Sequence, residues 1–424
     1  PLIMKIALAD FLTGLTSLNG EGYGILSENE VFAGIPGSHV HAMNLRTSVG
    51  PPFCQKKGHH IRLTPEVACS PEYWERYDTI EQVLSEGNIP SVVALCSLKD
   101  EMTKNGKAPR VFMNVASQLN AVTKRYGSSW KSFTRNNFEF FESAVGINMT
   151  SKDCNRIVEH MRKIDPGLNH IYDGDIKAMD KSWSPVFFEY VSQAVYAMCS
   201  FLGTEPEKNR LLILSMRYMT YAMKEDLFMA SMNPSGCDIT VELNGLLLSL
   251  LERYVYYVQN PYKGDVAEVI LWHENFLESP LKDFPSCDFR ANVALAHYGD
   301  DNIKATLKEV RSDYLEIWQN HLGMTMTPAD KTQTKMEAKK ITEVSFLQRK
   351  FVYDEELSCY IPPLSMKSLT RTLLFKKDST LSLPDHGAVC LTEVMREMVY
   401  HGPIQYEQML KLVFEVVEKH KLGG

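Results

Sequence analysis

The sequence lacks the marks of several protein classes. Its nine cysteines are odd in number and form no Cys-x-x-Cys pair. That argues against a disulfide framework or a zinc ribbon and leads us to expect reduced thiols in a cytosolic compartment. No stretch supplies the roughly 20 apolar residues of a membrane span; the most apolar run, Leu246–Leu251, stops at Glu252 and Arg253. The opening Pro1-Leu2-Ile3-Met4-Lys5 has no charged segment leading into a long apolar core, so no signal peptide is expected. Internal repeats and low-complexity tracts are absent from the 424 residues, a length that suits one multi-lobed domain or a few smaller ones. A basic excess is missing too. The net charge of −7 disfavours a uniformly basic nucleic-acid binder.

Net charge hides distribution, however. Lys99, Lys104, Lys107, Arg110, Lys124, Arg125, Lys131 and Arg135 fall together against only Asp100 and Glu101. A phosphate channel inside an acidic protein would look like this, although a solvated face would as well. Within the block, Ser91–Cys96 and Val111–Val115 read as strands joined by a Gly/Pro loop. Ser70 caps an expected helix from Pro71 to Leu84, and Asn137–Val145 and Lys152–Ile164 read as helical. Residues 183–230 are expected to be helix-rich. Past Pro362-Pro363 the chain turns helical to its end, where Tyr406, Met409, Leu410, Val413, Val416 and Val417 form a 3.6-period stripe expected to be core.

The chemistry-bearing residues cluster in three places. Alternating runs ending at His297 and beginning at Ile303 flank Tyr298-Gly299-Asp300-Asp301, a hairpin corner. Adjacent carboxylates at such a tip repel, and a divalent cation shared with a third carboxylate would relieve them; solvated turn residues are the plain alternative. His297 reads as packing. Upstream, Tyr172-Asp173-Gly174-Asp175 ends an expected strand, with Asp180 five residues beyond Asp175, too far to chelate the same ion from a regular strand. Between them Pro234-Ser235-Gly236-Cys237 leads into an expected helix that carries Thr240 and Asn244 at i and i+4, on one face. Those two side chains either bond locally or present a donor and acceptor to a hydroxyl.

Taken in order, these stretches resemble the RNA-dependent RNA polymerases of picornavirus-like positive-strand RNA viruses, from about Thr47 to Phe351. The resemblance implies an α+β right-hand fold with an antiparallel-sheet palm and a helical thumb. Fingers would take 1–165 and 190–230, palm 166–189 and 231–351, and thumb 352–424. It makes Asp175, Asp300 and Asp301 metal ligands and Asp180 a sugar reader, with Ser235, Thr240 and Asn244 beside it. Lys99, Lys107 and Arg110 would guide the triphosphate, and Lys331, after Thr327-Pro328-Ala329-Asp330, would protonate the pyrophosphate. Thr47, Ser48 and Gly50 resemble the motif where template enters, Gly236 belongs to the template-facing loop, and Phe346, Leu347 and Arg349 resemble the primer-grip hairpin. Three departures stand out: an extra residue between Lys107 and Arg110, the run Gly50-Pro51-Pro52-Phe53, and a short stretch before Thr47.

Joining a 3′-hydroxyl to an α-phosphate suits two Mg²⁺ ions about 3.5–4 Å apart, with Mn²⁺ as a substitute. The 2′-hydroxyl separates RNA from DNA precursors, and Asp180, Thr240 and Asn244 could detect it. A reverse transcriptase would instead exclude that hydroxyl with a bulky residue, and a non-catalytic replication scaffold would not need the carboxylates. The resemblance further implies RNA template and primer, ribonucleoside triphosphates, a small genome-linked protein primer and other viral replication proteins as partners. It places the work in host cytoplasm, in membrane-associated replication complexes.

Overall fold

The computed structural model describes residues 2–20, 24–63, 66–101, 106, 108–329, 335–374 and 380–420. At its centre is a four-stranded antiparallel sheet in the order Met326–Pro328, Ile171–Ile176, Asp301–Thr306, Val293–Tyr298. The expected hairpin is the edge half of it. Strand alternation divides the residues between two faces. Ala294, Ala296, Ile303 and Ala305 pack on Ile157, Val158 and Met161, and the small alanines let that layer come close. On the other face His297 and Lys304 meet the helix Thr240–Gln259, through Ser249 and Glu252.

A second sheet runs Val111–Val115, Val93–Leu98, Met219–Met223, Asp226–Ala230, with one parallel pairing between Val93–Leu98 and Met219–Met223. The Met219–Ala230 hairpin corrects part of the helix-rich expectation for 183–230; only Pro185–Leu202 and Pro206–Leu214 are helices there. Likewise Asn137–Val145 holds just one turn, Phe138–Phe141. It ends because Glu142 takes φ +62° and its buried carboxylate is gripped by Arg253 at 2.7 Å. The helix Ser117–Asn136 has no counterpart among the sequence expectations. Its buried Leu119, Val122, Tyr126, Trp130 and Phe133 do recur at helical spacing, diluted by serines and cations.

The N-terminal helix Leu2–Leu12 is locked to the centre by a buried ion network. Arg253, fully buried, bonds Asp10 at 2.8 Å as well as Glu142. Each charge is satisfied, which is what makes burial tolerable.

At the C-terminal end, Met366–Leu374, Leu383–Met398 and Pro403–His420 are helices, as expected. The stripe on the last one is not core. None of its residues is buried, and only Tyr406 and Met409 pack against the small cluster of Leu369, Val394 and Met398. Three helices of this size enclose too little volume to cover a whole amphipathic face. Among the described residues no helix is long and apolar enough to cross a membrane, and all nine cysteines are free.

Candidate active site

The site is built where the central sheet ends. Gly299 takes φ +65° at the first position of a two-residue turn, which suits the right-handed twist of its strands. Asp300 follows at the tip and is exposed, while Asp301 begins the return strand, paired in register with Asp175 of the neighbouring strand. Directly paired residues point to one face of a sheet. Asp175, Asp300 and Asp301 are thus gathered at one sheet end from two separated segments, as the sequence led us to expect. Among the described residues no three His, Cys, Asp or Glu side chains are close enough to hold an ion as they stand.

Electrostatics supply the test of whether a cation suits these groups. Burial pushes the Asp301 carboxyl up to about 7, against a lowering hydrogen bond from the Leu347 N–H, and Asp175, Asp300 and Asp173 raise it further. A divalent cation is the chemistry that reverses such a shift. One Asp301 oxygen accepts that Leu347 N–H at 2.7 Å, so this carboxylate also ties the hairpin tip to the segment after it. Asp173 is a buried strand residue that pairs with Lys339 at 2.7 Å and accepts from the Ser345 N–H.

Beside the carboxylates lies a polar network. Asn244 Nδ2 donates to Asp180 Oδ1 at 2.9 Å, and its Oδ1 accepts from Trp183 Nε1 (3.0 Å) and Asn233 Nδ2 (2.8 Å). Every polar atom of the Asn244 side chain is therefore committed, and its orientation is fixed. Trp183 and Asn233 were missed in the sequence; only their nearness to Asp180 and Pro234 hinted at them. Thr240 takes the local option. Its hydroxyl lies 2.6 Å from the Pro234 carbonyl and 2.8 Å from that of Cys237, so it fastens the loop.

The Ser-Gly loop docks on the second sheet. Gly236 N–H donates to the Met113 carbonyl, and a Cβ there would stand 2.4 Å from that oxygen, which is why only glycine fits. Ser235 Oγ accepts from the Met113 N–H at 3.2 Å. A groove of about 490 Å³ runs past this loop, lined by Lys57, Lys124, Lys131, Arg135, Ser235 and Tyr298 among others. Lys124, Lys131 and Arg135 from the second half of the basic block therefore line this groove, the last two paired with Asp238 and Glu242, while Arg125 is turned to Glu81. Next to Lys57, Thr47 Oγ1 accepts from its Nζ, Ser48 Oγ accepts from the Gly50 N–H, and Gly50 takes φ +77° against the Val115 carbonyl.

Three expectations change. Arg110 makes a two-pronged ion pair with Glu101 and is mostly exposed, so its guanidinium is not presented free to a phosphate. Phe346 is fully buried in the layer under the sheet. Arg349 is buried and bonded to Glu397 at 2.7 Å, which leaves Leu347 and Gln348 as the accessible part of that hairpin. Lys99 is exposed, with its N–H donated to the Arg110 carbonyl. Lys107 and Lys331 lie outside the described residues.

A family model described as viral RNA-dependent RNA polymerase matches residues 27–418. Among curated proteins, the replicase polyprotein of cricket paralysis virus is 24% identical over 348 residues, covering 77% of this chain and 18% of that protein. The replicase polyprotein of Drosophila C virus is 25% identical over 411 residues, covering 88% and 22%. The chain thus spans about a fifth of the length of these relatives. Among solved structures, a Sicinivirus 3Dpol RNA-dependent RNA polymerase superposes with a TM-score of 0.74 at 16% identity, covering 96% of this chain and 78% of the other. At that identity the likeness is one of fold.

Proposed function

The chain belongs to the viral RNA-dependent RNA polymerase family, and we propose that it copies RNA from ribonucleoside triphosphates by two-metal-ion nucleotidyl transfer. The observation that carries the reading is the in-register pairing of Asp175 with Asp301 beside Asp300 at the turn, three carboxylates on one end of one sheet. Asp175 and Asp300 would hold two Mg²⁺ or Mn²⁺ ions, with Asp301 supporting. Bound there, such ions lower the pKa of an attacking 3′-hydroxyl and neutralise the leaving pyrophosphate.

The chain's own residues do the rest. The Asp180–Asn244 pair offers a carboxylate oxygen beside a fixed amide at which a 2′-hydroxyl can be bonded. A site built to bond a hydroxyl rejects its absence more strongly than shape alone can. Lys57, Lys124, Lys131 and Arg135 outnumber Asp238 and Glu242 on the groove wall, although Lys131 and Arg135 are paired with those two acids, and this positive excess would seat a template strand. Lys99 and Lys107 would face the triphosphate, joined by Arg110 if it exchanges Glu101 for a phosphate, and Lys331 would give a proton to the leaving group. Fingers, palm and thumb would follow the boundaries expected above. A genome-linked protein primer and a membrane-associated setting in host cytoplasm are proposed on the resemblance.

Primer extension on an RNA template with Mg²⁺ or Mn²⁺ tests the reading, with Asp300→Ala as control. RNA binding without incorporation by the unaltered chain would favour the scaffold instead.

A further inference from the structure

The helix Thr240–Gln259 and the strand Val293–Tyr298 cross directly behind the site, and one glycine decides how closely. A Cβ at Gly245 would stand 2.3 Å from Cε1 and 2.5 Å from Nδ1 of His297, far inside contact distance. The imidazole occupies the space that any other residue at 245 would claim. It is fully buried, and its Nε2 lies 3.1 Å from Ser249 Oγ and 3.2 Å from the Phe141 carbonyl. A carbonyl can only accept, so the partners assign the proton to Nε2. Nδ1, which has no hydrogen-bond partner, is the lone-pair edge turned to Gly245.

The strand end of this contact is anchored as firmly. His297 N–H donates to the Glu142 carbonyl and its own carbonyl accepts from the Ala144 N–H, both at 2.8 Å. The strand cannot retreat without breaking those bonds, nor the ring without losing the two at Nε2. On the helix side, Gly245 directly follows Asn244, whose amide is bonded to Asp180. On the strand side, Asp300 comes three residues after His297.

We propose that His297 is a positioning residue for sugar selection: its ring, seated in the space left by Gly245, sets the spacing between Asn244 and the Asp300 tip. The inference rests on the reading of Asn244 and Asp180 as the sugar reader. His297 itself touches no substrate. Its influence is geometric, since small misplacements of a reading group cost much more than their size suggests.

Two opposite perturbations test it on the whole chain. His297→Ala empties the space and lets helix and strand approach or loosen; Gly245→Ala fills it twice and forces them apart. Both are expected to lower the ratio of kcat/KM for a ribonucleotide over its deoxy counterpart by about tenfold, mainly through KM for the ribonucleotide. The double variant His297→Ala/Gly245→Ser refills the space from the helix side and is expected to recover most of the ratio. An unchanged ratio in either soluble single variant, with kcat reduced alike for both sugars, overturns the proposal. So does a double variant no better than His297→Ala. If Asn244→Asp also leaves the ratio unchanged, the sugar reader itself has been misassigned; if it lowers the ratio, only the role of His297 falls.

Discussion

Replacing Asn244 by aspartate should disturb the polar network more than its size suggests. Two of the three side-chain bonds survive, because a carboxylate still accepts from Trp183 Nε1 and Asn233 Nδ2. The third inverts. The nitrogen that donates to Asp180 across 2.9 Å becomes an oxygen facing an oxygen. Two full charges at that separation repel by about 6 kcal/mol at an effective dielectric of 20, against about 1 kcal/mol for the hydrogen bond lost. The pair relieves this by sharing a proton or by turning Asp180 away, and either removes the fixed acceptor from the sugar. A 10- to 100-fold fall in ribose preference, about 1.4–2.7 kcal/mol, follows. The assay is single-nucleotide incorporation with matched ribo- and deoxynucleotides on an RNA primer–template, beside a thermal melt. Asp180→Asn/Asn244→Asp puts a donor opposite an acceptor again and should recover stability and part of the preference. The reasoning is refuted if Asn244→Asp keeps the original ratio and melting temperature, or if the double variant is no better than the single.

Other outcomes follow from the same geometry. Arg253→Met leaves Asp10 and Glu142 as buried carboxylates without their cation, and should cost about 3–5 kcal/mol in urea unfolding; a loss under 1 kcal/mol would mean the network relaxes into water. Thr240→Val removes the hydroxyl that holds the Pro234 and Cys237 carbonyls, and should lower stability by about 1–2 kcal/mol without a specific change in ribose preference. The Asp301 carboxyl, raised from 3.8 to about 7, makes proton binding stronger in the folded chain. Its stabilising share is complete below the unfolded value and disappears as pH rises through about 7. Manganese should therefore raise the melting temperature more at pH 8 than at pH 6, and Asp301→Asn should flatten that difference; an equal rise at both would argue that Asp301 does not face the ion.

Much of the site was legible because its residue types are costly elsewhere. Adjacent carboxylates at a glycine turn call for a cation shared with a third carboxylate, and the fold brings Asp175 into register with Asp301; an asparagine amid leucines on a helix calls for a polar partner, and the fold supplies Asp180. What stayed hidden depends on tertiary packing. Thr240 and Asn244 share a helix face, yet only the position of the Pro234–Cys237 loop decides that one fastens backbone and the other meets Asp180. Phe346 and Arg349 look alike to a sequence pattern whether they touch a primer or, as here, the core and Glu397. The Met219–Ala230 hairpin is hidden by methionines and a leucine that suit either secondary structure, until its pairing with Val93–Leu98 selects the strand. The terminal stripe met the reverse problem: its period was right, but too few neighbours cover it. His297 was read as packing, which it is; what it packs against could not be read without the helix beside it.

The central claim is that carboxylates from two strands act together on ribonucleotides. Incorporation of a labelled ribonucleotide into an RNA primer, with Mg²⁺ or Mn²⁺, tests it directly on the unaltered chain and on Asp175→Ala and Asp300→Ala. Template-directed extension by the unaltered chain and its loss in both variants, with RNA binding and melting temperature retained, is the expected result. Extension that survives either substitution, or a chain that binds RNA and never extends it, would contradict the account.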